Sequence, residues 1–125
     1  MPDRTPVHTI PSDEIPERGQ VLFTFTDSEG YEVQAFCVRC AGRAYAYVNS
    51  CPHWCIGLDL DDGQLWDTAK RYLECRNHGA LFRAEDGYCE SGPCFGGSLL
   101  AVPLEESAGE IRLYLPVFPD ADLLQ

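Results

Sequence analysis

Two short motifs rich in metal-binding side chains impose the strongest constraint on how this chain can fold. The first is Cys51-Pro52-His53, the second is Cys75-Arg76-Asn77-His78, and residues 54–74 separate them. Thiolates and neutral imidazoles are the ligands that iron and zinc prefer in proteins. The fold must therefore bring two loops that are distant in sequence together around one metal centre.

Two kinds of metal centre satisfy this ligand set. A single zinc ion takes four protein ligands in a tetrahedron, whereas a [2Fe-2S] core can divide them, with two Cys on one iron and two His on the other. Each motif supplies one Cys and one His. The ligand types alone leave both options open.

The residues around the motifs favour iron. Segments 48–53 and 75–82 resemble the two cluster loops of the Rieske [2Fe-2S] family, and Ser91-Gly92-Pro93 resembles the proline-bearing loop that covers the cluster in that family. Gly79 follows the second His, and the resemblance extends in order over about residues 43–104. Two paired motifs with a matching third loop are far more specific than a lone Cys-x-x-His.

The resemblance implies a [2Fe-2S] cluster and a role for each of its ligands. Cys51 and Cys75 would bind the inner iron, which stays ferric, while His53 and His78 would bind the outer iron, whose valence changes. The two histidines point toward solvent in the family. Electrons would therefore pass through the imidazole edges to a partner docked over the tip of the two loops, which here includes Trp54.

The hydrophobic pattern predicts an all-β chain. Apolar, β-branched and aromatic runs are bounded by turn residues, and both motifs follow strand ends. The predicted strands are 20–26, 31–38, 44–48, 71–74, 98–102 and 110–115, with one short helix expected within 59–70. Together with the resemblance, this predicts a Rieske-type antiparallel β sandwich with a small cluster-binding subdomain.

Length and composition predict a single Rieske-like domain over residues 1–125. A chain of this length can bury enough surface to be stable without disulfides. Four prolines within residues 1–19 argue against a helix or a central strand, so an extended arm over the surface is expected there. The cluster-binding subdomain is expected at about residues 49–95.

The charge of the chain limits its partners. The formal net charge is −11, which argues against nucleic acid or an anionic membrane surface and for docking onto a basic protein. No stretch approaches the roughly 18 apolar residues of a membrane span, and the N-terminus has no apolar signal region. We therefore expect a cytoplasmic protein that contacts neither membrane nor nucleic acid.

The seven cysteines cannot all pair with one another. In a chain without an export signal, a metal role for some of them is the better expectation. Cys37 and Cys40 have the spacing of a redox pair, but they lie at the end of a predicted strand with no second pair nearby. A structural role is expected for both.

A disulfide between the cluster loops is not expected. In the Rieske proteins that carry one, its second cysteine immediately precedes the second His, and that position is Asn77 here. A bridge from Cys94 to Cys55 or to Cys89 stays open.

The neighbours of the second motif indicate a low reduction potential. Hydrogen bonds to the cluster raise the potential, and Rieske centres span roughly −150 to +300 mV. In the high-potential respiratory type, a Ser and a Tyr stand two and four residues beyond the second His. Ala80 and Phe82 occupy these places here, and neither side chain can donate, which is typical of ferredoxins that serve oxygenases.

The histidine count excludes a stand-alone Rieske oxygenase. Its mononuclear iron needs two further histidines and a carboxylate, whereas His8 is the one histidine outside the motifs, and we assign it no role. The chain also has no hydrolytic triad and no glycine-rich nucleotide motif. The leading hypothesis is a one-electron carrier, a Rieske-type ferredoxin that passes electrons from a reductase to an oxygenase.

Two alternative functions stay open. The chain could be a permanently docked Rieske subunit of a larger redox enzyme, such as a nitrite-reductase-type small subunit, or a zinc-binding interaction module without redox activity. The stretch 54–74 is a few residues longer than the usual spacing in single-domain Rieske ferredoxins. We expect partner identity to depend on it.

Overall fold

The computed structural model describes residues 5–49, 65–67, 69, 71–75, 79–92 and 97–116. These residues contain one turn of 3₁₀ helix at Ser12–Glu14 and no α-helix, and no helix among them is long and apolar enough to cross a membrane. Their nine strands are β1 (His8–Pro11), β2 (Gln20–Thr26), β3 (Glu32–Cys40), β4 (Arg43–Val48), β5 (Leu73–Glu74), β6 (Leu81–Phe82), β7 (Cys89–Ser91), β8 (Leu104–Ser107) and β9 (Glu110–Leu113). The predicted all-β fold is confirmed.

The strands form three antiparallel sheets of three strands each. We call them the outer sheet, with strand order β1-β9-β8, the middle sheet, with order β2-β3-β4, and the small sheet, with order β5-β6-β7. In the middle sheet β2 and β3 pair without interruption from Gln20 opposite Val38 to Thr26 opposite Glu32. Strand β4 continues on the other side of β3, so β3 is the central strand of the middle sheet.

Strand β3 is buried on both faces. Successive side chains of a strand point to opposite faces, and Ala35, Phe36, Cys37 and Val38 are nevertheless all fully buried. Ala35 and Cys37 belong to the core shared with the outer sheet, whereas Phe36 and Val38 belong to the core shared with the small sheet. The middle sheet therefore lies between the other two, and burial of one side chain such as Phe36 contributes about 2 kcal/mol.

Two hairpins close with the same Ala-Gly turn. The φ angles are 54° and 82° at Ala41 and Gly42, and 54° and 80° at Ala108 and Gly109. Positive φ at both positions is the type I′ turn, whose twist matches that of the flanking strands. At the first turn the carboxylate of Glu17 accepts the backbone N–H groups of Ala41 (2.6 Å) and Gly42 (3.0 Å), and these hydrogen bonds lower the pKa of Glu17.

The N-terminal segment differs from the expected surface arm. Within it, β1 pairs with β9 from His8 opposite Leu113 onward, and Ile10 and Ile15 are both only 1% exposed. The prolines are compatible with this pairing because β1 is an edge strand, where proline is tolerated. The segment is thus an integral part of the outer sheet and of its core.

The predicted strand 98–102 is instead an irregular crossing segment. Leu99 packs in the core of the small sheet and Val102 in the core of the outer sheet. The backbone N–H of Leu99 donates to Gly87 (2.9 Å), and that of Val102 donates to Ala46 (2.8 Å). Because the hydrogen-bond partner changes within four residues, no regular ladder forms.

Arg39 joins β3 to three other segments: the 3₁₀ turn, the turn after β3, and β8. Its guanidinium forms a bidentate ion pair with Glu106 (3.2 and 2.9 Å) and donates to the carbonyl oxygens of Ser12 (3.1 Å), Ile15 (2.7 Å) and Gly42 (3.3 Å). Only 14% of the side chain is exposed. Charge-assisted hydrogen bonds of this kind are stronger than those between neutral groups.

We predict that Arg39→Ala lowers the free energy of unfolding by about 3 kcal/mol, because it leaves a partly buried carboxylate and three carbonyl oxygens without this donor. Urea unfolding of the holoprotein measures the loss. The matched control is Arg43→Ala, an exposed arginine on the neighbouring strand, which should cost less than about 0.5 kcal/mol. Equal losses in the two variants would contradict the role of Arg39.

The same ion pair contributes an acid dependence. The hydrogen bond from Arg39 lowers the pKa of Glu106 below its usual 4.5. The stability that the pair contributes is therefore present above a pH of about 4.5 and is lost as the pH falls through the lower folded-state value. The Arg39→Ala variant should lose this part of the wild-type acid sensitivity.

Candidate metal centre

Two backbone hydrogen bonds among Cys75, Gly79 and Ala80, which we call the clasp, close the second motif. The N–H of Cys75 donates to the carbonyl of Ala80 (2.8 Å), and the N–H of Gly79 donates to the carbonyl of Cys75 (2.7 Å). Gly79 has a φ of 77°, which glycine adopts without steric penalty. Strands β5 and β6 pair directly before and after the clasp, so both described ends of this loop are held at the end of a hairpin.

The beginning of the proline-bearing loop packs on the clasp. Gly92 follows β7 with a φ of 97°. A Cβ atom on Gly92 would lie 2.7 Å from the Cα of Ala80, closer than real Cβ atoms approach, and 3.1 Å from its nitrogen, which is a tight contact. The contact between the two segments therefore requires glycine at this position.

Tyr47 fixes the small sheet on the middle sheet. Its hydroxyl donates to the carbonyl of Ala84 at 2.6 Å, and its ring packs against Phe36 with the centroids 5.9 Å apart. Ala84 lies in the turn between β6 and β7, which connects the clasp to the proline-bearing loop. Burial raises the pKa of Tyr47, so the hydroxyl remains a donor. The alternating sequence 44–48 predicts a strand but does not indicate this hydrogen bond.

The chain before Cys75 forms a hairpin rather than the expected helix. Trp66 pairs with Leu73, and the carboxylate of Asp67 accepts the backbone N–H groups of Arg71 (2.8 Å) and Tyr72 (3.3 Å). Residues 65–67 and 69 are not helical. The rest of the expected helix, residues 59–64, 68 and 70, lies outside the described residues.

This 65–74 hairpin is anchored on the start of the middle sheet. The side-chain oxygen of Gln20 accepts the N–H of Leu65 (3.0 Å), and the indole N–H of Trp66 donates to the carbonyl of Gly19 (3.3 Å). Leu65 and Trp66 are almost completely buried. The anchor sets the position of β5, and Cys75 directly follows β5.

Cys37 and Cys40 cannot act as a redox pair. Three residues along a strand place them on opposite faces and roughly 10 Å apart, beyond the reach of a disulfide, and both thiols are free. Burial raises the pKa of Cys37 to about 12. Burial, followed by a hydrogen bond to Glu85, also raises the pKa of Cys40. Both therefore remain protonated core residues, in agreement with the expected structural role.

One of the four predicted metal ligands is described, and it is Cys75, which is fully buried. The other three lie outside the described residues: Cys51, His53 and His78. The same is true of Trp54, Cys55 and Cys94. Cys89 is present as a thiol and donates to the carbonyl of Ser91 at 3.2 Å, so the bridge considered between Cys89 and Cys94 is wrong. The bridge considered between Cys55 and Cys94 stays a prediction.

A family model for the Rieske [2Fe-2S] domain matches residues 5–119. The matched range contains both motifs, the clasp and the proline-bearing loop. The chain therefore belongs to the Rieske [2Fe-2S] domain family, and its cofactor is a [2Fe-2S] cluster. The match confirms the resemblance seen in the sequence. It argues against the zinc alternative, because the cofactor of this family is an iron–sulfur cluster.

Solved structures share the fold. The ferredoxin of carbazole 1,9a-dioxygenase from Nocardioides aromaticivorans IC177 has a TM-score of 0.66 and 24% identity over 90% of this chain and 99% of that chain. A chain from a complex of variant oxygenase and ferredoxin of carbazole 1,9a-dioxygenase has a TM-score of 0.68 and 21% identity, over 97% of this chain and 32% of its own. The terminal oxygenase of carbazole 1,9a-dioxygenase from Novosphingobium sp. KA1 has a TM-score of 0.66 and 22% identity, over 96% of this chain and 33% of that chain.

This chain thus spans about a third of the two larger chains. At these identities the similarity shows the fold alone. No curated protein matches the sequence.

The described part of the centre fits a [2Fe-2S] cluster. Cys75 supplies a thiol at the end of a rigid hairpin, away from water, which suits a thiolate ligand of iron. Ala80 and Phe82 beside it are fully buried and carry no hydroxyl group. The four proposed ligands, two Cys and two His, are the donor set of a Rieske centre.

We predict that Gly92→Ala weakens cluster retention, because the new methyl group must displace the clasp at Ala80. Iron content after purification and the rate of bleaching of the visible absorption measure this effect. The control is Gly30→Ala, whose φ of 91° is similar but whose Cβ would meet nothing within 4 Å. That variant should lose stability, about 1 kcal/mol, yet keep its iron. Equal iron loss in both variants would mean that backbone strain, and not the contact with Ala80, is responsible.

Proposed function

We propose that this protein is a one-electron carrier of the Rieske ferredoxin type, which receives electrons from a reductase and delivers them to an oxygenase. The family match over residues 5–119 carries the proposal. Further support comes from the structural similarity, which extends over 99% of a ferredoxin but over only 33% of a terminal oxygenase. One of the similar chains comes from a complex of a variant oxygenase and a ferredoxin of carbazole 1,9a-dioxygenase, in which the partner of the ferredoxin is an oxygenase.

In this proposal the ligands are Cys51 and Cys75 on the inner iron and His53 and His78 on the outer iron. When bound, a Rieske cluster supplies reversible uptake of one electron. Cys75 holds its side of the centre in the buried core, which supports its assignment to the inner iron. The two histidines belong at the solvent side, where a partner can reach their ring edges.

The proposal extends to the domain organisation of the chain. We propose one Rieske-like domain over residues 1–125, with a cluster-binding subdomain at about residues 49–95. The small sheet, the clasp and Gly92 all lie within that range, which supports this division. A cytoplasmic location agrees with a carrier that diffuses between partner proteins, and the net charge of −11 favours basic partners over nucleic acid or membrane surfaces.

We predict that anaerobic holoprotein contains about two irons per chain and takes up one electron from dithionite. Electron paramagnetic resonance should show a rhombic signal with an average g near 1.9 only after reduction. Cys75→Ala should abolish the signal. Cys37→Ala should preserve it, because Cys37 is an equally buried cysteine in the other core. A colourless protein, or a signal that survives Cys75→Ala, would contradict the proposal.

A permanently docked subunit of a larger redox enzyme would contain the same cluster as a diffusing carrier. The two differ in whether the protein stays bound to its partner. Gel filtration of native extract separates the two, because a carrier elutes near 13.9 kDa and a subunit elutes with its enzyme.

We predict a reduction potential in the lower part of the Rieske range, because Ala80 and Phe82 cannot donate hydrogen bonds to the cluster. Ala80→Ser should raise the reduction potential, because the new hydroxyl group could donate a hydrogen bond to the cluster. The control is Ala84→Ser, an equally buried alanine in the following turn, which should leave the potential unchanged. Redox titration followed by visible absorption gives both values. Equal shifts in the two variants would contradict a local effect at residue 80.

A further inference from the structure

A groove lined by arginines lies beside the small sheet. Its volume is about 280 Å³, and none of its lining residues belongs to the clasp or to the proline-bearing loop. Three of the six arginines in the described part of the chain meet there, although the whole chain carries a net charge of −11. The lining residues are Arg18, Arg71, Tyr72, Arg83, Glu85 and Glu90.

Arg18 is held rigidly in this groove. Its φ of 62° is unusual for a residue with a side chain, and its backbone N–H donates to the carbonyl of Arg39 (2.9 Å). The guanidinium stacks 5.4 Å over the ring of Trp66 and donates to the thiol of Cys40 (3.2 Å). Its Nε also lies 3.6 Å from the carboxylate of Glu17, an exposed ion pair that a partner's carboxylate can share or replace. Strained backbone of this kind persists only where the surroundings enforce it, and it is often found at binding sites.

The acidic residues of the groove already have partners. Glu90 accepts hydrogen bonds from Arg83 (3.2 Å) and from the hydroxyl of Tyr72 (3.5 Å). Arg83 also binds Asp86 at 2.5 Å, and Glu85 accepts the thiol of Cys40 at 3.4 Å. These carboxylates fix the walls of the groove.

Arg71 differs from the other cations of the groove in having no counterion among the residues that the structure describes. Within the described ranges no carboxylate oxygen lies within 4.0 Å of its guanidinium, which instead stacks 5.9 Å over the ring of Tyr72. The carboxylate of Asp67 binds the Arg71 backbone and holds it at the tip of the 65–74 hairpin. The single lysine of the chain, Lys70, directly precedes it in sequence.

We propose that this groove docks an acidic segment of a partner protein, with Arg71 and Arg18 as the donors to its carboxylates. A guanidinium offers paired N–H donors that match the geometry of a carboxylate. Because the chain as a whole carries a net charge of −11, local attraction at the groove would fix the orientation of such a partner. The hairpin that carries Arg71 lies in the longer stretch between the two motifs, where partner identity is expected to reside.

A titration with hexaglutamate tests this proposal on the oxidised holoprotein at low ionic strength. Isothermal calorimetry should show one saturable site that weakens as salt is added. Arg71→Gln should raise the dissociation constant about fivefold, within the range of a single exposed ion pair, and Arg71→Lys should recover part of the loss. The matched control is Arg43→Gln, which makes the same change of charge at an exposed arginine outside the groove and should bind as the wild type does.

Absence of saturable binding, or an equal loss of affinity in Arg43→Gln, would overturn the proposal, since binding would then reflect net charge alone. The iron content and visible spectrum of each variant establish that the cluster domain is intact. The result is independent of the proposed electron-carrier function, because one-electron reduction of the cluster does not require the groove.

Discussion

The burial of both faces of β3 is the interaction on which the rest of the structure depends. Four consecutive residues, 35–38, lie in two different cores, so the middle sheet is a layer between the outer sheet and the small sheet. Each of the other sheets has three strands and buries its apolar face against the middle sheet. The small sheet that carries the clasp therefore obtains its rigidity from β3 and β4 and not from its own short strands.

Specific contacts convert this layered packing into a defined position for the metal centre. The hydroxyl of Tyr47 holds the turn between β6 and β7, Trp66 anchors the hairpin before β5, and Gly92 brings the proline-bearing loop onto the clasp. All three position segments that flank the second motif, which contains two of the proposed ligands. A Rieske centre needs such rigidity because both loops must offer their ligands at the same time, and a loop that moved would expose the cluster to water.

The chain has a negative net charge, but three of its arginines lie together in one groove. A charge of −11 favours basic partners at long range, while the groove with Arg18 and Arg71 offers cations at short range. Under the proposed function the protein meets two partners in turn, and two different surfaces would let each partner be recognised by its own chemistry. The longer stretch between the motifs contributes the hairpin on which the second surface is built.

Much of the fold could be predicted from the sequence because local patterns carry it. Strand β2 occupies the predicted residues, and the Ser-Gly-Pro segment contains Gly92, which packs on Ala80. The errors arose where distant partners decide the conformation. The apolar run at 98–102 has the composition of a strand, yet it crosses between two cores. The N-terminal prolines suggested a surface arm, yet Ile10 and Ile15 are core residues.

The sequence by itself determined the class of protein and the chemistry of its cofactor. Two Cys/His motifs, a matching third loop and residues without hydroxyl groups at positions 80 and 82 are properties of residue type and order. Only the tertiary structure decided that Cys37 and Cys40 face different cores, that Tyr47 reaches Ala84, and that Arg18 and Arg71 share a groove. The reason is physical: these contacts join residues far apart in the chain, and they exist only once three sheets have been stacked.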